Sequence, residues 1–355
     1  MTILITGVCG FVGGTLALEF KRRAENVEVV GLDNLSRPGS EQNRQLLRRQ
    51  GIRFLHADIR NASDLETLPK AEWVIDAAAN PSVTAGVDGQ TSSRQLMEHN
   101  LVGTLNVLEY CKRHGAGLVM LSTSRVYSLE QLCKLPLEVK DGGFVPRFGN
   151  ATQPGLSPQG IAEDFSTQPP ISLYGSAKLA SEVVALEYGA AFGLPVQVNR
   201  CGVLAGAGQF GKPDQGIFSF WIHSYRRRRP LKYIGFGGTG QQVRDCLHPR
   251  DLAALVALQI QHPGKGDRIL NVSGGVANTI SLAQLSRWCA ARFGVHPVGA
   301  APESRPFDVP WLVLDSARAA AQWNWRPATS LEGILDEIAR HAEEHPEWLE
   351  LSNGP

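Results

Sequence analysis

Along its first half the chain alternates between two textures. Short, largely apolar runs, Ile3 to Ile5, Val27 to Asp33, Ile52 to Asp58, Trp73 to Ala79 and Gly117 to Thr123, each predict a strand. Between them lie stretches that predict helices: Leu16 to Arg23, a polar stretch from Glu41 to Gln50, and one carrying Asn100, Leu101, Leu105, Val107 and Leu108. Strands separated by helical crossovers imply a Rossmann-type, doubly wound parallel sheet of the α/β class, with ligands gathered at the strands' carboxyl ends. Thr6, Asp33, Asp58, Ala79 and Thr123 fall at those ends. Farther on, Val196 to Cys201 predicts a strand, and Ile217 to Tyr225, Leu252 to Leu258, Leu282 to Phe293 and Leu331 to Glu344 predict helices.

At 355 residues the chain exceeds a typical single domain. The expected partition is a dinucleotide-binding domain over 1–200 plus about 238–270, and a smaller mixed α/β substrate lobe over 201–237 and 271–355. The tryptophans near the C-terminus, Trp311, Trp323 and Trp325, are expected to pack that second lobe.

The first strand runs into Thr6-Gly7-Val8-Cys9-Gly10-Phe11-Val12-Gly13. Glycines between a strand and a helix let the backbone approach a pyrophosphate and aim the helix N-terminus at its charge. A tight turn would also use glycines, but the second strand ends in Asp33 about twenty residues past the last of them, where a ribose-binding carboxylate belongs. Asp33 favours NAD over NADP, because a carboxylate repels a ribose phosphate. Arg37 is open to two roles, accepting such a phosphate or covering the adenine ring. Asp58 is placed to bond the adenine amine, and the small residues Ala77, Ala78 and Ala79 to let a cofactor pass.

A net charge of +1 gives no general pull toward nucleic acid or membrane. Arg226 to Arg229 end a helix, where cations suit the helix dipole, and are expected to be a solvated end. The six cysteines have no metal-ligand spacing and read as reduced, mostly buried residues, and His223 and His248 as packing or hydrogen-bonding groups. With Met1 leading directly into the first strand, a cytoplasmic protein is expected.

Tyr174 and Lys178 stand one helical turn apart, so phenol and ammonium share a face. Together with a bound nicotinamide, Lys178 is expected to lower the phenol pKa from near 10, making Tyr174 a base at neutral pH, and to hold the nicotinamide ribose. Thr123 supplies a hydroxyl to orient or relay the proton of a substrate alcohol.

Taken in order, the glycine loop, Ser122-Thr123-Ser124-Arg125-Val126-Tyr127, Tyr174-Gly175-Ser176-Ala177-Lys178 and Arg244-Asp245-Cys246-Leu247-His248 resemble the extended short-chain dehydrogenases/reductases, the family of NAD-dependent nucleotide-sugar epimerases and dehydratases. Asp33-Asn34-Leu35-Ser36-Arg37, Asp58-Ile59-Arg60-Asn61, Asp214-Gln215-Gly216 and Gln242-Val243-Arg244-Asp245 bring the CDP-tyvelose (CDP-paratose) 2-epimerases closest within it.

The resemblance implies Thr123, Tyr174 and Lys178 as catalytic residues. It implies cofactor contacts from Gly7, Cys9, Gly10, Phe11, Val12, Asp33, Asn34, Ser36, Arg37, Asp58, Ile59, Ala77, Ala78, Ala79, Asn100, Ser122, Tyr174, Lys178 and Arg200, and substrate contacts from Ser124, Cys201, Val203, Gln209, Gln215, Gly216, Arg244 and Arg305. Arg244 and Arg305 suit a diphosphate, which a guanidinium binds through paired bonds. Where some relatives place a substrate-bonding asparagine, this chain has Val203. Where family dehydratases place an Asp-Glu pair after the threonine, it has Ser124-Arg125, which leaves elimination without its acid and base and points to reversible oxidation. A homodimer is a further implication of the family. The long segment Ser128 to Leu173 joins two catalytic elements and is expected to be a lid or subunit contact, or else a surface decoration.

Overall fold

The computed structural model describes residues 1–23, 26–87, 89, 92–148, 153–303 and 305–353. Strands β1 (Thr2–Thr6), β2 (Glu28–Asp33), β3 (Arg53–His56), β4 (Trp73–Asp76) and β5 (Gly117–Thr123) form where the apolar runs predict them. With Val196–Cys201 and Ile269–Val272 they make a seven-stranded sheet, ordered Ile269–Val272, Val196–Cys201, β5, β4, β1, β2, β3, with every neighbouring pair parallel. The order reverses between β1 and β4, the place where such sheets open a ligand crevice.

Helices cover both faces. Phe11–Arg23 and Pro249–Gln261 pack on one side, Gly103–His114 and Ser172–Phe192 on the other, each sealing an apolar layer against the sheet. Trp323 and Trp325 depart from expectation: they are buried in the core under the nucleotide-binding sheet, with Trp325 Nε1 donating to Asp251 O at 2.8 Å. The C-terminal segment thus closes the first domain as well as the second.

The second lobe has its own core, built from Ile217–Arg226, Leu282–Phe293 and Leu331–Glu344. Val243–Leu247, which the sequence assigns to the nucleotide domain, pairs instead with Val203–Leu204, Thr279–Ser281 and Trp311–Leu312 of this lobe. The arginine run is more engaged than a solvated helix end. Arg227 and Arg229 pair with Glu350 of the last helix, Trp348–Asn353, and Arg228 donates to the carbonyls of Phe293, Gly294 and Val295 at the end of Leu282–Phe293.

Over its described residues, 128–148 and 153–173, the long segment is a strap. Its hairpin Leu137–Lys140/Gly143–Pro146 meets the second lobe through Phe144 N to Gln241 O (2.9 Å) and Ser281 Oγ to Gly142 O (2.7 Å). Ile161 exchanges backbone bonds with Val313 and Asp315, both at 2.8 Å, and Leu132, Leu135 and Phe165 share a small core with Val309 and Leu314. No described helix is long and apolar enough to cross a membrane.

Candidate active site

A single crevice runs from the glycine loop, past the ends of β4 and β5, into the second lobe. At its floor the chain turns sharply at Gly7 (φ 65°), where a Cβ would stand 2.9 Å from Ala78 Cα; only glycine facing alanine lets the two strand ends come this close. Gly10 N bonds Gly7 O at 3.0 Å and the helix starts at Phe11, so its free N–H groups face the crevice. Asp33 braces the loop, accepting from Cys9 N (2.9 Å) and Leu35 N (2.8 Å), while burial raises its pKa. Burial, with Asp33 adding to it, pushes the Cys9 thiol up to about 12, which leaves it inert as a nucleophile.

Tyr174 and Lys178 project from the helix Ser172–Phe192. Ser172, at φ 74°, turns the chain into that helix, and its hydroxyl accepts from Gly175 N at 3.1 Å. Tyr174 is 8% exposed and lines the crevice beside Ser122, Thr123 and Ser124. Burial raises the phenol's pKa; Thr123, which its hydroxyl reaches, and the Arg125 cation draw it back down. The cation whose field acts on Tyr174 in the protein alone is therefore Arg125 rather than Lys178.

Lys178 is 2% exposed. Its ammonium has no hydrogen-bond partner among the described residues; burial lowers its pKa, against the pull of Asp76, Glu182 and Cys201. An ammonium with donors to spare can take a ligand's hydroxyls. With the glycine cradle, the helix N-terminus and Asp33, it fits a dinucleotide's ribose and pyrophosphate.

Residues 3–273 match the NAD dependent epimerase/dehydratase family. The chain belongs to that family, and NAD is its cofactor. Among curated relatives it is 30% identical to CDP-paratose 2-epimerase of Salmonella typhi, over 93% of this chain and 96% of that one. It is 27% identical to UDP-glucuronate 4-epimerase of Thermodesulfobacterium geofontis, over 98% and 97%. Among solved structures, UDP-glucose 4-epimerase of Thermus thermophilus in complex with NAD superposes with a TM-score of 0.74 at 25% identity, covering 97% of this chain and 99% of that one.

In this epimerase/dehydratase-family chain, every residue expected at the substrate lines the crevice: Ser124, Cys201, Val203, Gln209, Gln215, Gly216, Arg244 and Arg305. So do Gly7, Gly10, Phe11, Val12, Arg37, Ala77, Ala79 and Ser122 of the cofactor set. Thr123 and Cys201 are register partners on adjacent strands, which brings the two halves of the site side by side. Arg244 donates to Asp308 at 2.8 Å and to the carbonyls of Val243 and Val309; Arg305 donates to Pro213 O at 3.1 Å.

Other expected contacts are placed differently. Arg200 does not line the crevice: its guanidinium is buried against Glu182 (2.7 Å), with Tyr127 Oη at 3.3 Å, behind Ser122, whose hydroxyl also bonds Glu182. It ties the strand ends to the helix Ser172–Phe192. Asp58 is held by Arg60 at 2.6 Å and by Asn34 at 3.0 Å, contacts that keep its carboxyl well below the usual range. Ile59 packs against Gly103, and Asn100 bonds both backbone groups of Asn80, so these two support the wall from behind. Ser36 N bonds Asn34 Oδ1 at the rim. Arg37 donates to Gln215 Oε1 (2.6 Å) and Phe210 O (3.0 Å), linking the β2 loop to the substrate loop.

Sequence reasoning missed Arg125, Phe307 and Trp221 among the crevice residues. Only Arg125 left a signal, its place two residues after Thr123. Among the described residues no cluster of three or more His, Cys, Asp and Glu could hold a metal. His248 caps the helix Pro249–Gln261, and His223 meets His341 at 3.3 Å.

Proposed function

We propose that the protein is an NAD-dependent nucleotide-sugar epimerase that inverts carbon 2 of a CDP-sugar by transient oxidation. The observation that carries this reading is the meeting of Thr123, Tyr174 and the cofactor cradle in one crevice, with Ser124-Arg125 where elimination would need carboxylates. NAD, when bound, supplies a hydride acceptor that also returns the hydride. Tyr174 takes the proton of the sugar hydroxyl, with Thr123 orienting that hydroxyl. Lys178 holds the cofactor ribose and, once the site is filled, offsets the phenolate charge. The buried setting keeps water from the keto form while it turns its other face.

The 30% identity to a CDP-paratose 2-epimerase over nearly the full length supports carbon 2 and cytosine. The similar coverage of a UDP-glucuronate 4-epimerase favours a second reading, inversion at carbon 4 of a UDP-sugar. The six cysteines are free and five of them buried, as suits the reducing cytoplasm. Exposed Leu105 on Gly103–His114 and exposed Val183 and Phe192 on Ser172–Phe192, two helices joined by Tyr188 Oη to Glu109 (2.5 Å), support a homodimer through that face. The test is a screen of CDP-, UDP-, GDP-, ADP- and dTDP-sugars with purified protein and no added cofactor. Isomerisation of a CDP-sugar with no net NADH is expected; turnover that accumulates NADH would replace the epimerase with a dehydrogenase.

A further inference from the structure

The turn Ser124–Val126 that ends β5 sends Arg125 into the crevice two residues after Thr123. Arg125 N donates to Thr123 Oγ1 at 3.2 Å, so its backbone is fixed beside the reaction centre. Its guanidinium crosses to the other wall and makes one hydrogen bond among the described residues, Nη1 to Phe307 O at 3.3 Å. The remaining N–H groups have no acceptor among the described residues. Arg244, by contrast, makes three such bonds, to Asp308 and to the carbonyls of Val243 and Val309.

The charges that reach this guanidinium are Tyr174 on one side and Arg244, Asp308 and Arg305 on the other. Of the charged groups that act on it, two are arginines and one a carboxylate, and burial with the neighbouring arginines pushes Arg125 down to about 10. Such a cluster is costly until an anion enters it.

Building on the sugar-nucleotide reading, we propose that Arg125 binds the phosphate attached to carbon 1 of the sugar and thereby selects the carbinol that meets Tyr174. A guanidinium that grips this phosphate while standing next to the phenol leaves between them the carbon adjacent to the anomeric one. A hydroxyl at carbon 4 lies across the ring, and bringing it to Tyr174 would draw the phosphate away from Arg125. Paired bonds to phosphate oxygens are what a guanidinium makes best.

The experiment is calorimetric titration of the NAD-loaded enzyme with CDP, CMP, UDP and UMP, in the wild type, Arg125→Met and Arg125→Lys. The diphosphates carry the phosphate in question and the monophosphates lack it. Wild type is expected to prefer a diphosphate to its monophosphate. Arg125→Met should lose about 10- to 100-fold of the diphosphate affinity and leave the monophosphate within about twofold, with Arg125→Lys in between. Unchanged diphosphate binding in both variants would overturn the assignment and leave the sugar-nucleotide reading standing. Equal losses of diphosphate and monophosphate would also overturn it. A wild type that binds none of the four overturns the reading itself. Should Arg125→Met fail to fold, Arg125→Lys decides, because it keeps the charge and removes the paired geometry.

Discussion

Gly175 is pressed against the backbone carbonyl of Arg125: a Cβ on Gly175 would stand 2.3 Å from that oxygen. The contact locks the helix bearing Tyr174 to the turn bearing Thr123, so phenol and hydroxyl share one frame. Gly175→Ala must push them apart. Turnover is expected to fall about 100-fold or more through misplacement of the base, and NAD, seated mainly by the glycine loop, should be retained. Steady-state kinetics with absorbance of bound cofactor checks both.

Six of the seven strands of the main sheet, and the placing of Tyr174 and Lys178 on one helix, were legible in the sequence because each depends on spacing within one short segment. Ile3 to Ile5, the glycines after it and Asp33 are neighbours in the chain and remain so in space. Arg200 shows the limit. Its partner Glu182 lies on another element, and nothing local distinguishes an arginine that reaches a cofactor from one sealed against a carboxylate. Trp323 and Trp325 were assigned to the wrong core for the same reason: a C-terminal segment can return to the first domain with no trace in its own pattern.

The Arg200–Glu182 pair predicts a stability effect. Glu182→Ala leaves a buried guanidinium uncompensated, which costs roughly 3–5 kcal/mol. Calorimetry should show a melting temperature lower by at least about 5 °C. Changing both residues to apolar ones of similar volume should recover much of the loss.

Arg37 joins the cofactor lobe to the substrate loop through Gln215 and Phe210, and its guanidinium also lies 5.4 Å from the Phe210 ring. Arg37→Ala should loosen that loop. The expected outcome is NAD loss on dialysis about tenfold faster than wild type and a raised KM, with turnover of NAD-saturated enzyme little changed. Unchanged cofactor retention would show that the bridge does not guard the crevice.

His223 and His341 face each other beneath the last helix, with His345 near His341. Burial lowers them to about 3 and about 4, with His341 adding to the effect at His223 and His345 at His341. Both fold in the neutral form, and the unfolded chain takes up protons first, so stability is full above pH 6.5 and declines as pH falls toward 4. The loss should be on the order of 2 kcal/mol per ring by pH 4.5. A melting-temperature profile over this range should flatten in His341→Gln.

The central claim, reversible oxidation at one sugar carbinol with Tyr174 as the base, is tested most directly by following a CDP-sugar deuterated at carbon 2 through conversion by the purified enzyme. The account predicts an inverted product that keeps its deuterium, with no NADH released. Product carrying hydrogen from the solvent at carbon 2 would contradict it.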